Sequence, residues 1–250
     1  MSKPISKYAS ERYDDQQKLE VLPLIYSCDG LYMYTILNNK AIITLNNEDF
    51  NENLLVFFYG KPSFHESDYM NSCYLSDDNC PVCFILPFDH ISTDRVFSLD
   101  TADFAKSYQH CLHRNMKKED FELDNSIDSI MQYIQVFFGN NQRYLEGEPA
   151  ELKNTSNPYV DALHRLQYSA GEKTNAHTVE VLSRSDVEVK NNVECIVLPD
   201  RLARKDEIKS FLADMKIQYI TYKYIRGFAP CDYTGAAMGK VLEYIDSTRG

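Results

Sequence analysis

The sequence has no tryptophan, no uninterrupted apolar run of about 18 residues, and none of the short motifs that mark the commonest cofactor-dependent enzymes. The missing apolar run argues against a transmembrane helix, and no membrane partner is expected. The opening stretch MSKPISKYASERYDDQQ is polar and lacks the apolar centre of a secretory signal, so the expected location is the cytoplasm. GxxxxGK[ST] is absent, and no GxGxxG follows a strand pattern, which argues against a P-loop or Rossmann cofactor site. Without GxSxG or HExxH, an α/β-hydrolase elbow and a zincin centre are not expected either. No internal repeat or low-complexity tract interrupts the chain.

Positive charge is also short. Lys and Arg number 26 against 37 Asp and Glu, for a formal net charge of −11. A broad polyanion-binding face is disfavoured, because phosphate contacts need clustered cations. A local basic groove stays open, since net charge says nothing of distribution. The cysteines are odd in number, seven: Cys28, Cys73, Cys80, Cys83, Cys111, Cys195 and Cys231. Several sit in apolar runs, as Cys195 does in VECIVL, and read as free thiols in a reducing compartment.

What is present is ordinary for a globular protein: 44% hydrophobic and 25% charged residues over 250 positions, enough for one sizeable core without staples. Aromatics are plentiful, with 18 Tyr and 13 Phe, so buried tyrosine hydroxyls will need partners. The pattern suggests a flexible arm over residues 1–18 and one α+β domain over 19–250. LEVLPLIYS reads as a strand, with Pro23 pointing to a sheet edge. Ser27 is a candidate cap for a helix over DGLYMYTILNN. AIITL, NLLVFFYG and PVCFILPF read as strands, with a polar loop over 62–79 between the last two. Asp100 is placed to open a helix over TADFAKSYQHCLHR, and Ser126 to cap SIDSIMQYIQVFF ahead of Gly139. A polar connection spans 140–157, and Asn157-Pro158 opens the next helix. HTVEVLS, DVEV and ECIVLP are short strands. DEIKSFLADMK is helical, IQYITYKYI is a strand, and TGAAMGKVLEYID is a closing helix. This irregular alternation argues for α+β with mixed or antiparallel sheets and flanking helices, not a doubly wound fold.

Cys80 and Cys83 have CxxC spacing, and Cys111 and His113 lie downstream. Four soft ligands could in principle hold zinc, but Cys83 opens an apolar strand and a second CxxC is missing, so no metal is expected. None of the six histidines stands at a recognisable catalytic spacing.

Two segments are more specific. Val56 to Phe64 is an apolar strand that ends in Tyr59-Gly60-Lys61-Pro62, placing an aromatic ring and a cation at a strand end. Such an end can stack a planar ring and attract a phosphate, or it can be a plain Gly-Pro turn. His177 to Leu182 carries Glu180 in an apolar strand. By alternation Thr178 and Glu180 share one face, and Val179 and Val181 the other. Glutamate is depleted in strands, so Glu180 is either a functional carboxylate or a solvent-facing residue on a half-exposed strand. Glu188 and Glu194 sit in similar settings.

On these segments the chain resembles the ADP-ribosyltransferase superfamily, in particular the bacterial DNA-targeting toxins and related phage-defence proteins. The likeness is a pattern of three separated pieces over roughly residues 22 to 225. The first, Ile25 to Leu31 with a helix over Tyr32 to Leu37, corresponds to the family's His-x-Thr strand. Ser27 stands where the family has Thr, and Ile25 where it has a ribose-binding His. The second is Phe57 to Phe64, with Lys61 near the family's Arg. The third is the strand of the catalytic glutamate, matched by Glu180, with Cys195 to Pro199 as its sequel. The resemblance implies a split-sheet ADP-ribosyltransferase-like fold and NAD as substrate. Tyr26, Ser27, Tyr59 and Lys61 would hold the cofactor, and Glu180 would act in catalysis. It implies mono-ADP-ribosyl transfer to a nucleic-acid or protein acceptor, as a toxin or defence effector, with an antitoxin or other regulatory protein as a partner. Tyr59 and Glu180 would have to converge across one cleft. The departures at Ile25 and Lys61 favour an alternative, a catalytically degenerate nucleotide-binding or protein-interaction domain of the same fold.

Overall fold

The computed structural model describes residues 3–64, 77–104, 108, 112–152, 155–169, 176–225 and 228–249. Along the chain run α1 (Pro4–Ser10), β1 (Leu24–Asp29), α2 (Gly30–Asn39), β2 (Ala41–Ile42), β3 (Leu45–Asn47), β4 (Glu52–Tyr59) and β5 (Pro81–Leu86). There follow β6 (Arg95–Phe97), β7 (Glu122–Leu123), α3 (Ile127–Phe138), α4 (Asn141–Glu146), α5 (Pro158–Ser169) and β8 (Glu180–Ser183). The last elements are β9 (Val187–Glu188), β10 (Cys195–Pro199), α6 (Asp206–Met215), β11 (Gln218–Tyr222) and α7 (Thr234–Arg249). The class is α+β: β10 and β11 pair in parallel, while β5 pairs antiparallel with both β1 and β10. Of the segments read from the sequence at 62–79 and 101–114, residues 65–76, 105–107 and 109–111 lie outside the described residues. The chain divides into two compact units, Met1–Val21 with Thr93–Leu182, and Leu22–Ser92 with Ser183–Gly250.

In the first unit, β6 pairs antiparallel with both β7 and β8. Helix α3 starts where Ser126 Oγ accepts the Ser129 N–H at 3.2 Å, and it stops at Gly139, whose φ of 90° suits glycine. It buries Ile130, Tyr133, Ile134, Phe137 and Phe138 as one apolar stripe. Two expectations change here. The loose arm is ordered: α1 buries Ile5, Tyr8 and Ala9 at the i, i+3, i+4 spacing of a helix face, with Pro4 in its first turn. Lys3 Nζ reaches Glu122 at 3.2 Å and the Leu123 carbonyl at 2.6 Å. The Gln135 side chain accepts the Asp14 N–H and donates to the Asp14 and Gln17 carbonyls, tying the following strap to α3. The polar connection after Gly139 also holds the short helix α4, capped where Asn140 Oδ1 accepts the Arg143 N–H.

In the second unit the strands lie in the order β11-β10-β5-β1-β4, with β3 on β4. Strand β5 is buried at every position and β10 likewise, which is why both read as unbroken apolar runs. Strand β1 sits between β5 and β4, so Pro23 does not mark an edge. Proline is tolerated because it precedes the strand, and its carbonyl accepts the Gly60 N–H at 2.8 Å. Ser27 lies inside β1, and the helix cap is Asp29, whose Oδ1 accepts the Tyr32 N–H at 2.7 Å. Gly30 opens α2 under tight constraint. A Cβ there would sit 2.9 Å from the Asp78 carbonyl oxygen and 2.9 Å from Leu202 Cδ2. No helix among the described residues is long and apolar enough to cross a membrane.

Candidate functional site

Glu180 is the first residue of β8 and lies opposite Phe97 in the ladder. It is 1% exposed, with Thr178, Val179 and Val181 buried around it. The ordinary alternative, a solvent-facing glutamate on a half-exposed strand, does not hold for Glu180, whereas Glu188 and Glu194 are exposed. Past Phe97 the chain leaves β6 and turns at Asp100. Asp100 Oδ1 accepts the Ala102 N–H at 3.1 Å and caps a short 3-10 turn, Thr101–Asp103. The first N–H of such a turn has no partner within it, and here it goes to a carboxylate. Thr101 N donates to Glu180 Oε2 at 2.7 Å, and Thr101 Oγ1 lies 2.8 Å from Oε1 and 3.1 Å from Oε2. Both carboxylate oxygens are therefore held in a fixed orientation. Donors of this kind favour the ionised form and offset part of the cost of burying it. Thr101 was invisible in the sequence because it lies 79 positions from Glu180.

The four residues named for NAD binding belong to the second unit. The register pairs Leu24 with Tyr59 and Tyr26 with Phe84, which puts Tyr26 and Tyr59 on one face of the sheet. Ser27 pairs with Cys83 and points to the other face, where its Oγ lies 3.9 Å from Cys83 Sγ. Tyr26 is 7% exposed and packs its ring on Phe57, with centroids 5.9 Å apart, and on Phe84 at 6.2 Å. Tyr59 is fully buried. Its hydroxyl accepts the Leu22 N–H at 2.8 Å, and its ring meets Phe88 edge-on at 6.1 Å. In this conformation neither face of the Tyr59 ring is open to a ligand. Its visible work is in the core, completing a hydrogen bond at the start of β1.

Lys61 follows Gly60, whose φ is 73°, and is itself buried. Burial lowers its ammonium from the usual 10.5 to about 7, because removing the cation from water favours the neutral amine. Ser63 is buried close behind it in sequence. Cys80 and Cys83 are buried thiols, His113 is exposed, and Cys111 lies outside the described residues. Burial pushes the Cys83 thiol up to about 12, away from a metal-binding thiolate. Among the described residues no group of three or more His, Cys, Asp or Glu side chains is arranged to hold a metal.

No family model matches this chain, and no curated protein does. Among solved structures it matches that of Thermus sp. 2.9 DarT in complex with NAD+, at 7% identity and a TM-score of 0.46, covering 82% of this chain and 98% of that one. At that identity and score the likeness fixes neither which residues act nor what they act on.

Proposed function

We propose that the chain is an NAD-dependent mono-ADP-ribosyltransferase that cleaves the nicotinamide–ribose bond and passes ADP-ribose to a nucleic-acid or protein acceptor. The observation that carries this reading is the buried Glu180 carboxylate, held at both oxygens by Thr101. A buried carboxylate is expensive to keep, and sites that keep one at fixed orientation are enriched in chemistry. As the glycosidic bond lengthens, its electron pair leaves with neutral nicotinamide and positive charge develops on the ribose. A carboxylate oriented beforehand in a water-poor setting stabilises that charge, but Glu180 is 1% exposed, so it can accept a hydrogen bond from a ribose hydroxyl only after its cover opens. The acceptor then attacks the ribose carbon and loses its proton to solvent.

Tyr26, Ser27, Tyr59 and Lys61 are proposed to hold NAD. In this role Lys61 faces the pyrophosphate, and an anion there restores the proton that burial removes. Tyr26 and Tyr59 can stack on a ring only after their packing opens. The setting that fits this activity is a cytoplasmic toxin or phage-defence effector restrained by an antitoxin or other regulatory protein.

The sealed Tyr59 ring favours a second reading, a domain that binds a nucleotide or a protein without turnover. One experiment separates the two. The protein is incubated with NAD and a mixture of nucleic-acid and protein acceptors, nicotinamide is followed by chromatography, and NAD binding is followed by calorimetry. The transferase reading expects release that Glu180→Gln abolishes while the far-ultraviolet circular dichroism stays unchanged. NAD binding without release under any acceptor supports a nucleotide-binding domain, and neither binding nor release rejects the transferase and leaves a protein-interaction domain.

A further inference from the structure

We infer that Thr101 is the positioning residue for the Glu180 carboxylate, through its side-chain hydroxyl as well as its backbone N–H. The inference rests on the transferase reading for its catalytic meaning and on geometry for its substance. Glu180 has two oxygens to orient. Thr101 N meets Oε2 at 2.7 Å, and Thr101 Oγ1 sits between the two oxygens at 2.8 and 3.1 Å. The pair of donors spans the carboxylate plane, so rotation about the last side-chain bond of Glu180 would break at least one contact.

The grip is built from the local sequence. Asp100 is completely buried and caps the turn at Ala102, which fixes the backbone of residue 101. Thr101 is 4% exposed, so water does not compete easily for its hydroxyl. A β-branched residue has few side-chain rotamers, which keeps Oγ1 on the carboxylate. Asp100 and Glu180 are thus two buried carboxylates one residue apart through Thr101, with different work. One shapes the turn, and the other is presented by it. Thr101 is assigned no contact with substrate. It acts through Glu180, by holding the acid in the orientation in which it meets charge developing on the ribose.

Two substitutions separate the hydroxyl from the rest of the side chain. Thr101→Val keeps the shape, the branching and the N–H but deletes Oγ1. Thr101→Ser keeps the hydroxyl. In steady-state nicotinamide release, Thr101→Val is expected to lower kcat by about tenfold or more with KM for NAD changed by less than about threefold, and Thr101→Ser to recover most of the loss. A purely structural role would not divide kcat from KM, nor be rescued by the smaller residue. A Thr101→Val protein with wild-type kcat overturns the assignment. So does a Thr101→Ser protein as slow as Thr101→Val.

Failure of the transferase reading is told apart by a double-mutant cycle in denaturant that needs no activity. Wild type, Thr101→Val, Glu180→Gln and the double variant are unfolded in urea. If wild type releases no nicotinamide, coupling still supports the positioning contact. It is read as a double-variant folding constant that departs at least threefold from the product of the two single effects. Simple additivity overturns it.

Discussion

Lys61 carries a consequence at the scale of one residue. Its folded value of about 7 lies below the ordinary 10.5, so between those two pH values the unfolded chain binds more protons than the folded one. Stability contributed by this residue therefore rises from pH 7 to 10.5, with a slope of at most about 1.4 kcal/mol per pH unit, and the burial penalty is fully present below pH 7. Lys61→Met removes the charge and keeps the length. Urea unfolding at pH 6 and pH 10 is expected to show the variant gaining most on wild type at pH 6 and the difference shrinking at pH 10. A difference independent of pH would contradict the burial account. Glu180 stood out in the sequence because a carboxylate in an apolar strand is unusual, but its two possible fates look the same on paper. Burial excludes the solvent-facing fate, and burial depends on what covers a strand from elsewhere in the chain. Thr101 is one partner that holds Glu180, and no local pattern links the two positions.

Among elements, the legible ones had strong local signals. Helix α3 has a serine cap, a continuous apolar stripe and a glycine stop, and its bounds follow from those three features. The N-terminal helix has only two turns, and its apolar residues Ile5, Tyr8 and Ala9 are diluted by polar neighbours, so the segment read as an arm. What orders it is tertiary: Ser6 Oγ meets Ser129 Oγ at 2.7 Å, and Arg95 and Lys3 both contact Glu122. Burial alone would push the Glu122 carboxyl up, but its contacts with Arg95 and Lys3 prevail and hold it below the ordinary range. Ile5→Ala is expected to cost about 2–5 kcal/mol in urea unfolding, because the side chain is wholly buried. A loss under about 0.5 kcal/mol would return the segment to the status of a loose arm. Ser27 was misplaced as a cap because Ser27 and Asp29 are both good N-caps, and only the register of β1 against β5 shows that the strand runs on to Asp29. Gly30 gives the sharper test of that junction. A methyl group at its Cβ position collides with the Asp78 carbonyl, so Gly30→Ala should lower stability by about 1–3 kcal/mol despite alanine's higher helix propensity. A stabilised Gly30→Ala protein would mean that the Asp78 backbone yields readily.

For the whole molecule, the α+β class was readable because strands and helices alternate without a βαβ period, and the sheets have the expected mixture of antiparallel and parallel pairs. Each compact unit draws on two separated stretches of chain, so a unit cannot be read from any one stretch of sequence. A net charge of −11 sets a condition on any nucleic-acid acceptor: its approach must rely on a local cationic surface, and transfer to it should weaken as salt rises. Transfer to a protein acceptor carries no such requirement. The central claim is that the Glu180 carboxylate performs chemistry on NAD, and the most direct measurement is the rate of nicotinamide release by wild type and by Glu180→Gln, compared at matched folded fractions. The account predicts release by wild type and a loss on the order of 10²-fold or more in the variant. Equal rates in the two proteins, or no release by wild type with any acceptor, would contradict it.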